Sequence, residues 1–119
     1  MINADSFRDF ALQLPETVEE PHFKLTSFRV GKKIFSTLNP PENRGTLRFS
    51  SEMQHIFCAV SKGAIYPVPN KWGQYGWTNV NLPEVEEELL KDALLIAWRE
   101  VAPAAFRKKY PIFFEDEVA

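Results

Sequence analysis

The sequence has little of what most enzymes use for chemistry. There is one cysteine, Cys58, and there are two histidines, His22 and His55. A single cysteine excludes an internal disulfide and points to a reduced, cytoplasmic protein. Cys58 lies in Ile56-Phe57-Cys58-Ala59-Val60, an apolar stretch of predicted helix, where a buried thiol keeps its proton. The histidines lack metal-ligand spacing, and with Cys58 they supply too few nitrogen and sulfur ligands for zinc. Glu16, Glu19 and Glu20, or Glu84, Glu87 and Glu88, offer oxygen ligands to a hard cation. Solvated faces and a helix N-terminus explain both groups more simply. No metal or cofactor is expected.

Other absences narrow the class further. No run approaches the roughly eighteen apolar residues of a membrane span. The first residues, Met1 to Asp9, lack the basic and apolar regions of a signal peptide. Among five glycines there is no G-x-x-x-x-G-K-[ST] loop, no G-x-G-x-x-G turn and no G-x-S-x-G elbow. A non-catalytic module is expected, although residues distant in sequence can converge into a site.

What is present is a core. Hydrophobic residues make up 45% and aromatics 13% of 119 residues, which suits one globular domain over 1–119 with a loose tail at 111–119. The net charge of −2 hides a segregation. Residues 1–20 carry one base and five acids, and residues 81–119 five bases and nine acids. Residues 21–80 carry eight bases (Lys24, Arg29, Lys32, Lys33, Arg44, Arg48, Lys62, Lys71) against Glu42 and Glu52, a net of +6. A basic middle sits between acidic ends, so the middle must be judged alone.

Periodicity predicts the elements. A helix over 3–14 is capped by Asn3 or Asp5 and stopped by Pro15. Residues 17–25, with Pro21, read as an edge strand or irregular arm. Phe28 and Val30, the Gly31-Lys32-Lys33 turn and Ile34 to Leu38 form a hairpin. Residues 39–45 form a loop and 46–49 a third strand, and Arg29 and Arg48, alternating with buried neighbours, are expected on the outer face of the sheet. A second helix opens at Ser50 or Ser51, buries Met53, Ile56, Phe57 and Val60, and stops at Gly63. Residues 65–69 are extended at an edge, 70–76 form a loop, and 77–82 a strand. Pro83 starts the longest helix, over 83–102, with Glu84, Glu86, Glu87 and Glu88 at its positive end and a Glu87–Lys91 pair. The order α-β-β-β-α-β-β-α describes an α+β domain whose antiparallel sheet is packed on one face by about three helices.

One surface stands out for function. Lys32 and Lys33 project from a hairpin tip, Arg44 lies in the Pro-rich loop, and Lys71 and Trp72 share a loop with Tyr75. Such bases neutralise phosphates, and exposed aromatics stack on bases. Trp77, in an alternating strand, reads as core, whereas for Trp72 exposure and burial are evenly balanced. Gly73-Gln74-Tyr75-Gly76 has the G-x-x-G spacing of a KH loop, but it runs into a strand rather than joining two helices.

Several segments, in order, resemble the MmcQ/YjbR family from about residue 5 to residue 110. They are Pro15-Glu16-Thr17-Val18-Glu19-Glu20, Phe28-Arg29-Val30-Gly31-Lys32-Lys33-Ile34-Phe35, the run from Lys71 to Leu82, and the Glu-rich entry to a Leu-rich helix. The resemblance implies a double-wing domain of CyaY/frataxin-like topology and a DNA-binding role without a defined cellular purpose. It brings no catalytic residues. The first wing would be the Lys32-Lys33 hairpin, and loop 70–76 would present Lys71 and Trp72 near the sheet's other end. Frataxin's acidic ridge has no counterpart, since the first helix holds only Asp5 and Asp9.

Two functions follow. The first is weak, salt-dependent DNA binding by a monomer through Lys32, Lys33, Arg44, Arg48, Lys71 and Trp72. The alternative is a protein or small ligand held by Trp72 and Tyr75 in an apolar groove. A convex basic ridge around Trp72 favours the first, and a concave apolar pocket the second.

Overall fold

A computed structural model describes residues 2–116. Strands β1 (Val18–His22), β2 (Leu25–Val30), β3 (Lys33–Asn39), β4 (Arg44–Arg48), β5 (Ile65–Pro67) and β6 (Trp77–Asn81) form one antiparallel sheet in the order β1-β2-β3-β4-β6-β5. Helices α1 (Ala4–Leu12), α2 (Ser51–Val60) and α4 (Glu87–Val101) cover one face, and the other is open. The short helices α3 (Lys71–Gln74) and α5 (Phe106–Lys109) and two 3-10 turns (Pro40–Glu42, Pro111–Phe114) complete the fold. This is the predicted α+β architecture.

Strand alternation decides which side chains meet the helices. The register Phe28↔Ser36, Ser36↔Leu47 and Leu47↔Thr78 puts one row under the helices, and Leu38, Gly45, Val80 and Ile65 form the next. A Cβ on Gly45 would stand 2.4 Å from the ring of Phe7, so the absent side chain lets α1 settle onto β4. Asn3 Oδ1 accepts the amide of Ser6 at 2.9 Å to open α1, and Ser50 Oγ accepts that of Met53 at 3.2 Å to open α2. In the last turn of α4, Trp98 is fully buried against the rings of Phe106, Phe113 and Phe114, with centroids at 5.5–5.8 Å. Its indole donates to the carbonyl of Pro15 at 3.0 Å.

Some boundaries differ from the sequence reading. Residues 17–25 supply a regular edge strand, β1, in which Glu19 accepts hydrogen bonds from Arg8 and Thr26. Pro83 does not start α4. Residues 83–86 form a turn in which the amide of Val85 bonds to the carbonyl of Asn81, and that turn buries Val85 before α4 begins at Glu87. On α2, Ile56 and Val60 are exposed. The helix instead points Met53, Gln54, Phe57 and Cys58 inward, because the Gln54 amide reaches the backbone of α3 and the Thr78 hydroxyl. Within 111–119, a 3-10 turn over Pro111–Phe114 buries Phe114 against Trp98, and Asp116 pairs with Arg99. Positions 117–119 of the expected loose tail lie outside the described residues.

Candidate nucleic-acid interface

The open face takes its floor from outward-pointing strand residues. Thr37↔Thr46 and Thr46↔Asn79 form one row across β3, β4 and β6, and the Thr46 hydroxyl donates to Asn79 Oδ1 at 2.9 Å. Trp77, two residues before Asn79, therefore also faces outward. It is half-buried and belongs to the open face, not the core. The alternation of 77–82 was legible. Which phase of it faced the helices depended on pairing with Leu47 and Gly45.

Residues 70–76 are not a plain loop. Asn70 Oδ1 caps α3 by accepting the amide of Trp72 at 2.9 Å. Two glycines fix this short helix against the sheet. A Cβ on Gly73 would lie 2.0 Å from the carbonyl oxygen of Val68. Gly76 has φ +98°, and a Cβ there would lie 1.7 Å from the carbonyl oxygen of Phe49. The G-x-x-G spacing is thus a packing device. Gln54 Nε2 supports it from α2, donating to the carbonyl of Gly73 at 2.9 Å.

Seated this way, Trp72 is 52% exposed and meets Tyr75 edge-on at 6.1 Å. The Lys71 ammonium lies 5.6 Å from the centroid of the Trp72 ring. Trp72, Trp77 and Val68 wall one end of a groove that runs obliquely over Thr46 and Thr37 to Leu25 and His22. Its volume is about 350 Å³. Tyr75 is not part of it. Tyr75 lines a separate hollow with Arg48, Ser50, Gln74 and Glu100, so the structure does not place Trp72 and Tyr75 in one apolar pocket. Beyond Leu25, the β1–β2 turn presents Phe23, which is 94% exposed and packs on His22.

The charges around the groove are arranged by β4. Arg44 and Arg48 alternate with Gly45 and Leu47, so both project from the open face, one on each side of Thr46. Lys32 and Lys33 stand at the β2–β3 tip, with Gly31 tucked against Pro103. The register Ser36↔Leu47 and Arg48↔Trp77 puts that tip and α3 past the same ends of the strands, on opposite sides of β4. They are not at opposite ends of the sheet, as the sequence reading had it. Lys32, Lys33, Arg48, Lys71 and Trp72 therefore gather at one end, with Arg44 farther along β4.

Pairing separates these bases from the rest. Among the described residues, Arg29 alone of the eight bases in 21–80 is in an ion pair, with Glu20 at 3.2 Å. Outside that segment Arg8, Lys91, Arg99 and Lys109 pair with carboxylates. Many acids lie on the covering helices, including Asp5 and Asp9 on α1 and Glu87, Glu88 and Asp92 on α4. Groups with displaced pKa values lie away from the groove. Hydrogen bonds from Lys109 and Tyr110 hold the Glu16 carboxyl below its usual range, that of Arg99 does the same to Asp116, and burial raises the Cys58 thiol.

Sequence reasoning missed His22, Leu25, Thr37, Thr46 and Val68 as groove residues and placed Trp77 inside. The only local signal was outward alternation in β3 and β4. The groove exists because separate elements cross the same face.

Comparison with known proteins agrees with this architecture. No curated protein matches the chain. A crystal structure of Deinococcus radiodurans protein DR2400, which carries a DUF419 domain, is similar to it, with 23% identity and a TM-score of 0.70. That match covers 92% of this chain and 88% of the other. The family model described as YjbR matches residues 12–100, from the end of α1 into the last turn of α4, and on that span the chain belongs to the YjbR family.

Proposed function

We propose that this domain binds nucleic acid through its open sheet face and the adjoining Lys32-Lys33 hairpin. One observation carries the reading: seven of the eight bases in residues 21–80 have no carboxylate partner among the described residues, and those at one end of the sheet surround exposed aromatics. Unpaired cations beside a sheet face leave their charge available to phosphates. Paired ones are already neutralised. The acids on the helical face repel a polyanion and so orient it toward the open face. We read the domain as a binding module rather than an enzyme. Binding is weak and salt-dependent, and the lone half-buried Cys58 suits a reducing compartment such as the cytoplasm.

The groove's apolar walls favour a second reading, a small aromatic ligand or peptide side chain seated between Trp72 and Leu25. Titration of a labelled DNA oligonucleotide at two salt concentrations separates the two. The nucleic-acid reading expects binding at low salt that falls steeply with salt and weakens in the Lys32→Glu/Lys33→Glu variant. Undetectable binding at low salt, or an unchanged affinity in that variant, refutes it.

A further inference from the structure

Resting on the nucleic-acid reading above, we infer that the groove takes unpaired bases, so that the domain prefers single-stranded nucleic acid to duplex. The shape and chemistry of the open face carry this. A duplex presents phosphates on a convex surface and keeps its bases stacked inside. The groove is concave and sits between the cations instead of beneath them. Its floor is the Thr37–Thr46 row and its walls are Trp72, Trp77 and Leu25, which form apolar surface suited to a flat ring.

Arg44 and Arg48 rise from β4 on either side of that floor, spaced as alternate residues of one strand. Lys71 stands at the Trp72 wall and Lys24 at the β1–β2 turn beside Leu25. A chain whose bases point down into the groove therefore finds cations at both rims for its phosphates. Stacking needs bases freed from a partner strand, and it is indifferent to sequence because every base has a π face. A weakly sequence-dependent preference for single strands follows.

The test uses the full chain, one mixed-sequence DNA oligonucleotide and the same strand annealed to its complement, each labelled and titrated at low salt. Intrinsic fluorescence is read in parallel. Trp98 is fully buried, so quenching by ligand reports on Trp72 and Trp77. The single strand is expected to bind about tenfold more tightly than the duplex and to quench tryptophan emission. Trp72→Ala is expected to weaken single-strand binding roughly tenfold, the scale of one lost base stack, and so to remove most of the preference for single strand over duplex. Trp72 is an exposed residue of a four-residue helix, so the variant keeps the core.

Equal or tighter duplex binding, or a Trp72→Ala protein with unchanged single-strand affinity, overturns the inference. Both results leave the broader nucleic-acid reading standing, which fails only if neither form binds or the hairpin charges do not matter. Salt-insensitive binding of indole by calorimetry, with no tryptophan quenching by the oligonucleotide, assigns the groove to a small apolar ligand and also overturns it.

Discussion

The backbone of Val68 occupies the space where a side chain on Gly73 would go: a Cβ there would meet the Val68 carbonyl oxygen at 2.0 Å. That contact holds α3 against the end of β5 and turns Trp72 toward the groove. Gly73→Ala is expected to destabilise the domain by more than about 2 kcal/mol, since rigid backbone on both sides must move. Gly63 is the contrast. It has φ +92° but open space around it, so Gly63→Ala is expected to cost only about 1 kcal/mol. Urea denaturation of the two variants checks the order.

The fold was largely legible because its strongest signals are local. Gly31 between two alternating runs specifies the β2–β3 hairpin, and Ser50 before Glu52 and Met53 specifies the start of α2. The misreadings concern facts that no local window contains. Trp77 alternates correctly, but only its pairing with Arg48 decides that it faces outward. Ile56 and Val60 sit at helical spacing, yet Gln54 has three polar partners on α3 and β6 and rotates the buried arc toward itself. The bases Lys32, Lys33 and Lys71 were visible as candidates. Their freedom from ion pairs was not, because pairing depends on which acids the fold brings near.

A pH-dependent clasp joins the α1–β1 connection to the end of α5. Glu16 Oε2 accepts hydrogen bonds from Lys109 Nζ at 2.6 Å and from Tyr110 Oη at 2.5 Å. The Lys109 contact, with Tyr110 second, lowers the Glu16 pKa, so its contribution is present above the ordinary carboxylate value and is lost as pH falls through the lowered one. Glu16 in turn raises the Lys109 and Tyr110 pKa values, and those contributions are lost as pH rises through the raised values. The melting temperature of wild type is expected to exceed that of Glu16→Gln at neutral pH and to converge with it in strong acid. Thermal scans from about pH 3 to pH 7 check this. A gap that does not narrow in acid contradicts it.

Cys58 is half-buried on the inner side of α2, and burial raises its thiol pKa. The thiolate is the reacting form, so alkylation by iodoacetamide near neutral pH is expected to be slow in the folded protein and fast in denaturant. Mass spectrometry over a time course reads both rates. A folded-state rate equal to that of the denatured chain contradicts the burial of this side chain.

Charge on the open face should count for more than charge elsewhere. On single-stranded DNA each phosphate neutralised adds about 0.7 to the salt slope, so Arg44→Gln/Arg48→Gln is expected to reduce the slope by about 1.4. Lys62→Gln/Lys108→Gln removes the same formal charge from positions away from the groove and is expected to change the slope little. Equal effects from the two pairs mean attraction by net charge alone.

The most direct test is a map of the contact face. Amide chemical shifts of the uniformly labelled protein are recorded as a single-stranded oligonucleotide is added at low salt. Thr37, Arg44, Thr46, Arg48, Trp72 and Trp77 are expected to shift together, with Lys32 and Lys33, while Asp9 on α1 and Asp92 on α4 stay in place. Shifts confined to the helical face, or scattered without regard to face, would contradict the assignment of the open sheet as the binding surface.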